Sequence, residues 1–151
     1  MPDQKIYDKL TTYCAYQERS ANDVKQKLIK LKAEKEDTPY YLERLNRENY
    51  LNEERFAKAF IAGHLKKKWG KAKIKSALMQ KRVDANIVSN LLDDVEEEGY
   101  NDQLITLAER KLKSIKGEND YERKTKLTRF LMSRGYDSTR INAVTKELFP
   151  K

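Results

Sequence analysis

The chain has 151 residues, of which 38% are hydrophobic and 37% charged, with 32 Lys and Arg against 24 Asp and Glu for a net charge of +8. That length suits one domain with a sizeable core, and so much charged surface suits an elongated stack of helices better than a sphere. No apolar run is long enough to span a bilayer and the opening MPDQKIYDKL lacks the apolar centre of a secretory signal, so a cytoplasmic location without membrane contact is expected. The cation excess favours polyanionic partners.

Only five glycines and three prolines punctuate the chain, and apolar residues recur at spacings of three and four with no sustained alternation. An all-α fold is predicted. Val24 and Leu28 return as Ile74 and Leu78 and again as Leu127 and Leu131, so one helix is written three times. Three tandem three-helix repeats follow, at 1–50, 51–99 and 100–151, with about nine helices in an elongated stack.

In the first repeat, the lone Cys14 sits between Tyr13 and Tyr16 on an apolar-periodic helix. It reads as a small buried hydrophobe, because no second cysteine can pair with it and the one histidine, His64, belongs to another repeat. Thr38-Pro39 opens a further helix. The second repeat begins with NYLNEERFAKAF, which lines up with GYNDQLITLAERKL in the third, pairing Tyr50 with Tyr100, Asn52-Glu53 with Asn101-Asp102 and Ala57 with Ala108. Asn52 and Asn101 are accordingly expected to cap helices, and Gly70, Gly99, Gly117 and Gly135 to mark turns.

The middle repeat is electrically split. Residues 64–82 hold eight Lys or Arg and no acid, whereas 84–98 hold six Asp or Glu and no base. On a helix from about 70 to 82, Ile74, Ala77 and Leu78 share the inward stripe while Lys71, Lys75 and Arg82 line one flank. A cation stripe is commonly a solvated face, but uncompensated like charges repel, and that cost points to an anionic partner. Lys66, Lys67 and Lys68 extend the run, and Arg123, Lys124, Lys126, Arg129 and Arg134 form a second basic group on the equivalent helix of the third repeat, with Glu122 as its only neighbouring acid; the first four of these are candidate contact residues. Trp69, beside Gly70, is expected to fill the gap between two helices rather than stack on a base. Tyr40, Tyr41, Tyr50, Tyr100, Tyr121 and Tyr136 read as anchors at helix ends.

No phosphate-binding glycine loop, dinucleotide fingerprint, HExxH or histidine pair occurs, so neither a cofactor nor catalysis is expected. Asp93, Asp94, Glu96, Glu97 and Glu98 point in different directions on a helix and read as a solvated face, with no metal assigned.

These residues together resemble a known family. NYLNEERFAKAFIAGHLKKKWGKAKIKSALMQKRV, residues 49–83, is similar to the signature of the RecX family: a "GYLDDERFA" type turn and helix, a basic segment, "WG", then a basic and apolar helix. QERSANDVKQKL at 17–28 and RFLMSRGYDSTRI at 129–141 look like the family's first and last segments. Arg82 stands where the family has a glycine, and Asn52-Glu53 where it has an acidic pair. The resemblance implies a monomeric, non-enzymatic regulator of the RecA recombinase. It would bind the groove of the RecA–DNA filament and inhibit filament growth, ATP hydrolysis and strand exchange, within DNA repair, recombination and the SOS response. Single- or double-stranded DNA is a further partner on this reading. A general nucleic-acid-binding repeat protein and a non-catalytic scaffold are the alternatives.

Overall fold

The structure, a computed structural model, describes residues 1–150. Among these it contains nine α-helices and no strand. They are α1 (Gln4–Tyr16), α2 (Ala21–Lys30), α3 (Thr38–Arg47), α4 (Glu53–Lys66), α5 (Lys71–Gln80), α6 (Ala85–Asp93), α7 (Glu97–Ser114), α8 (Asp120–Ser133) and α9 (Ser138–Leu148), with a 3-10 turn at Lys35–Asp37. No helix among the described residues is long and apolar enough to cross a membrane.

The chain forms two compact units. The first comprises Met1–Phe60 with Leu78–Val88; the second comprises Ile61–Ala77 and the chain from Ser89 onward. In the first, Tyr7, Leu10 and Cys14 of α1 meet Val24 and Leu28 of α2, Tyr41 and Leu45 of α3, and Leu51. In the second, Tyr100, Leu104 and Ala108 of α7 meet Leu127 and Leu131 of α8, Tyr136, and Ile141 and Val144 of α9. The repeated pairs Val24–Leu28, Ile74–Leu78 and Leu127–Leu131 are all 3% exposed or less, as their periodicity predicts. Cys14 is buried, and that burial pushes its thiol up to about 11.

Short polar side chains start the helices. Asp3, Asn52, Asn119 and Asp137 each accept from a first-turn amide, and Ser20 with Asp23 forms a reciprocal capping box at α2. Pro39 sits in the first turn of α3, where its missing N–H costs nothing.

Asn101 departs from expectation. α7 begins at Glu97, so Gly99 lies inside its first turn and Asn101 lies a turn further on, where its Oδ1 accepts from Arg140 Nε at 3.2 Å. Glu97 and Glu98 favour that earlier start by complementing the helix dipole. The true correspondence runs through Tyr7, Phe56 and Tyr100, whose amides donate to the carbonyls of Asp3, Asn52 and Glu96 respectively. All three rings are buried, whereas Tyr50, the expected counterpart of Tyr100, is 38% exposed. Tyr40 and Tyr121 are likewise exposed, so of the six expected anchors only Tyr41, Tyr100 and Tyr136 are buried.

The helix ends repeat one device. After α2, α5 and α8, the amides of Ala33, Val83 and Tyr136 donate back to the carbonyls of Leu28, Leu78 and Leu131, while those of Lys32, Arg82 and Gly135 donate to Ile29, Met79 and Met132. This is the Schellman pattern, which needs a left-handed residue at the closing position. Lys32, Arg82 and Gly135 have φ of 58°, 61° and 98°.

Candidate functional site

The basic turn between α4 and α5 lies in the second unit, held by the turn between α8 and α9. The amide of Gly70 donates to the Arg134 carbonyl at 2.6 Å, and that of Ala72 to the Gly135 carbonyl at 3.0 Å. Both contacts require two glycines face to face. A Cβ on Gly70 would meet the Gly135 carbonyl, and one on Gly135 would lie 2.5 Å from the Lys73 amide nitrogen.

Buried tyrosines complete the lock. The Tyr136 hydroxyl donates to the Lys68 carbonyl at 2.8 Å and accepts from Gln103 Nε2 at 2.8 Å, while Nε2 also donates to the Trp69 carbonyl at 3.1 Å. The Tyr100 hydroxyl accepts from the Lys71 amide at 2.8 Å, satisfying one free donor at the start of α5. The two rings sit 5.3 Å apart. Burial pushes the Tyr136 hydroxyl up to about 12 and Tyr100 upward as well, so both stay protonated over the physiological range.

Trp69, expected to fill the gap between two helices, is half-buried. Its ring centroid is 4.3 Å from that of His64, and Lys73 Nζ lies 4.2 Å from it, so it is the apolar body on which the basic turn is folded.

Of the expected cations, Lys66, Lys67 and Lys75 are exposed and Lys68 half-buried, and none of them forms an ion pair among the described residues. Lys71 Nζ lies 4.9 Å from the Tyr100 ring. The structure therefore gathers these five cations on one fixed turn and the start of α5. Arg82 belongs to the first unit, where it is exposed.

On α8 the four candidates separate. Arg123 pairs with Asp120 at 3.5 Å, and Lys126 pairs with Glu122 at 3.3 Å while donating to the Lys116 carbonyl at 2.6 Å. Lys124 and Arg129 keep no acid partner among the described residues and line an open groove with Tyr121 and Met132. The uncompensated charge of this group is thus smaller than the sequence count suggests, because Asp120 supplies an acid that the count around Glu122 omits.

Among the acids read as a solvated face, Glu97 takes part in a network: Arg140 bonds its carboxylate and also that of Asp137 at 2.7 Å. The Arg140 guanidinium holds the Glu97 carboxyl below the usual carboxylate range. Asp137 is held low too; desolvation raises it, and the hydrogen bonds from Arg140 more than offset that. Gln103, Tyr136 and Arg140 are positioning residues that residue type alone does not reveal. Their partners lie 33 to 68 positions away, apart from the Arg140–Asp137 pair.

Models of the second and third three-helix domains of RecX match residues 52–92 and 98–145. The chain is similar to regulatory protein RecX of Clostridium perfringens (strain 13 / Type A), 33% identical over 132 residues, which are 86% of this chain and 62% of that protein. It is also similar to regulatory protein RecX of Chlorobium phaeobacteroides (strain BS1), 29% identical over 148 residues, covering 97% of this chain and 95% of that one. In fold it superposes on a crystal structure of regulatory protein RecX with a TM-score of 0.87 at 19% identity, over 95% of this chain and 72% of that one. The crystal structure of RecX from Lactobacillus salivarius gives 0.81 at 22%, over 96% of this chain and 95% of that one. The basic turn falls within the second matched domain and the turn that locks it within the third; with these two domain models accounting for more than half of its length, the chain belongs to the RecX family.

Proposed function

We propose that this chain is a non-catalytic, cytoplasmic regulator that binds the groove of the RecA–DNA filament and inhibits RecA filament growth, ATP hydrolysis and strand exchange. It acts as a monomer in recombination, DNA repair and the SOS response, and single- or double-stranded DNA contributes to its contact. Family membership supports a regulatory role. The observation that carries the contact surface is the basic turn: Lys66, Lys67, Lys68 and Lys75 have no acid partner among the described residues, and the backbone of the turn is tied to the α8–α9 turn at Lys68, Gly70 and Ala72. A fixed array of unpaired cations loses little conformational entropy when a polyanionic partner arrives, and it attracts that partner at long range. Within the second unit Lys71, Lys124 and Arg129 extend the contact, with Arg123 and Lys126 available if their internal pairs open, and Arg82 is a separate contact residue of the first unit. Cys14 is buried with a raised thiol and His64 packs against Trp69, which supports a role without catalysis.

The test is the rate of DNA-dependent ATP hydrolysis by RecA with the parent chain and with the triple substitution Lys66→Glu, Lys67→Glu, Lys75→Glu. The parent is expected to slow hydrolysis and the triple variant to lose that effect while keeping its helical circular dichroism, because exposed substitutions seldom cost more than about 0.5 kcal/mol. A folded variant that inhibits as strongly as the parent removes this turn from the contact and turns attention to Lys124 and Arg129.

A further inference from the structure

Just beyond the end of α1, in the first unit, Arg19 is held by both a backbone carbonyl and an aromatic ring. Its Nε donates to the Tyr13 carbonyl at 2.9 Å, and its guanidinium carbon lies 3.7 Å from the centroid of the Tyr13 ring and 5.8 Å from that of Tyr16. Lys27 Nζ lies 5.3 Å from the Tyr13 ring. Arg44, Arg55 and Arg140 are each paired with an acid, whereas Arg19 has no acid partner among the described residues. The neighbouring Glu18 is committed to Arg55 at 2.7 Å. The two terminal nitrogens of Arg19 have no hydrogen-bond partner among the described residues. A guanidinium so fixed presents a ready donor fork to a phosphate with little rotamer entropy left to lose.

Beside that fork, Tyr16 is 82% exposed, an unusual state for an aromatic ring. The same open groove is lined by Lys9, Thr12, Arg19 and Lys27, with Asp8 as its one acid, and no aliphatic side chain lines it. A bare ring face among cations, with one acid and no aliphatic side chain beside it, matches an unpaired base with its phosphate.

We propose that this face binds single-stranded nucleic acid, with Tyr16 as a stacking platform for one base and Arg19, supported by Lys9 and Lys27, holding an adjacent phosphate. Bases in a duplex keep their faces stacked on one another, so the ring selects for single strands. The inference rests on the proposed function, in which DNA is one partner, and it adds a site in the first unit to the basic turn of the second. The stacking role considered for Trp69 falls instead to Tyr16, because His64 and Lys73 already pack on the Trp69 ring.

The experiment is fluorescence anisotropy of a labelled oligo(dT) titrated with the full chain in the absence of RecA, so that its failure leaves the inhibition test standing. Tyr16→Ala is expected to weaken binding about tenfold, the effect of losing one stacked base, with Tyr16→Phe close to the parent. Arg19→Gln is expected to weaken binding and to lower the slope of log affinity against log salt by about 0.7, one phosphate contact on a single strand. Should Arg19→Gln lose its helical circular dichroism, Lys27→Gln reads the same slope without touching the Tyr13 carbonyl. Undetectable binding by the parent, or Tyr16→Ala binding as tightly as the parent, overturns the proposal. So does a poly-glutamate peptide that binds more tightly than oligo(dT) with the same dependence on Tyr16, which would assign the face to an acidic protein segment.

Discussion

Replacing Gly135 by alanine tests whether the α8–α9 turn fixes the basic turn. The added Cβ would lie 2.5 Å from the Lys73 amide nitrogen and 2.6 Å from its Cβ, and these are backbone and near-backbone atoms that cannot swing aside. Gly135 also has φ of 98°, outside the range alanine adopts readily. The strained dihedral costs about 1 to 3 kcal/mol and the overpacked contact about 1 to 3 kcal/mol, so a loss of about 2 to 6 kcal/mol is expected. Trp69, the chain's one tryptophan, adjoins Gly70 and reports on the second unit directly. Urea unfolding followed by its fluorescence, beside far-ultraviolet circular dichroism, separates a local effect from a global one. Arg82→Gly is the control at the equivalent position, where the left-handed residue is exposed and a change within about 1 kcal/mol is expected. A cost below about 1 kcal/mol for Gly135→Ala would refute the steric argument, since the strained dihedral alone should reach that.

Leu78 is fully buried, and its neighbour Met79 is 53% exposed. Leu78→Ala is expected to cost about 2 to 5 kcal/mol in urea unfolding and Met79→Ala about 0.5 kcal/mol or less; equal effects would reject the repeat register. Asp23 gives a pH dependence in the first unit. Burial raises its carboxyl, but hydrogen bonds from the Ser20 backbone and from Lys81, at 2.9 Å, outweigh that and leave it below its usual 3.8. A depressed folded value means the contribution is complete above the unfolded pKa and is lost as pH falls through the folded one. The parent's denaturation midpoint should therefore drop as pH falls below 3.8, and Asp23→Asn should flatten that limb. An unchanged acid limb in Asp23→Asn would show that other carboxylates govern it.

Where a signal was local and periodic, the sequence carried it. The three apolar pairs from Val24 to Leu131 are buried because a helix face repeats at three and four, and Asn52 caps α4 because its side chain bonds an amide three residues on. The start of α7 was misplaced because Gly99-Tyr100-Asn101 imitates the turn at Asn49-Tyr50-Leu51. Two acids at the dipole's positive end and the burial of Tyr100 instead extend the helix back to Glu97. Of the site, the cations were legible and their surroundings were not. Arg123 and Lys126 have acids three and four positions away, a local pattern that was open to reading. The Gly70–Gly135 approach and the Tyr136–Lys68 bond join residues more than sixty positions apart, and no local pattern encodes such pairings.

The left-handed positions show how the fold carries charge at its helix ends. Five helices, α2, α3, α4, α5 and α8, close on Lys32, Asn49, Lys68, Arg82 and Gly135, all with positive φ. Glycine or asparagine is the usual choice, and three of the five are cations. A side chain in that conformation costs about 1 to 2 kcal/mol. Against this, a cation at a helix C-terminus gains about 0.3 to 1 kcal/mol from the dipole, and avoiding glycine saves about 0.5 to 1 kcal/mol of unfolded-state entropy. These terms nearly cancel, so Lys32, Lys68 and Arg82 place positive charge at helix ends with little net effect on stability. At Gly135 the same arithmetic fails, because Lys73 occupies the space a Cβ would need. Stability therefore explains the glycine at 135 but not the lysines and the arginine, of which Lys68 and Arg82 carry charge that the proposed contact would use.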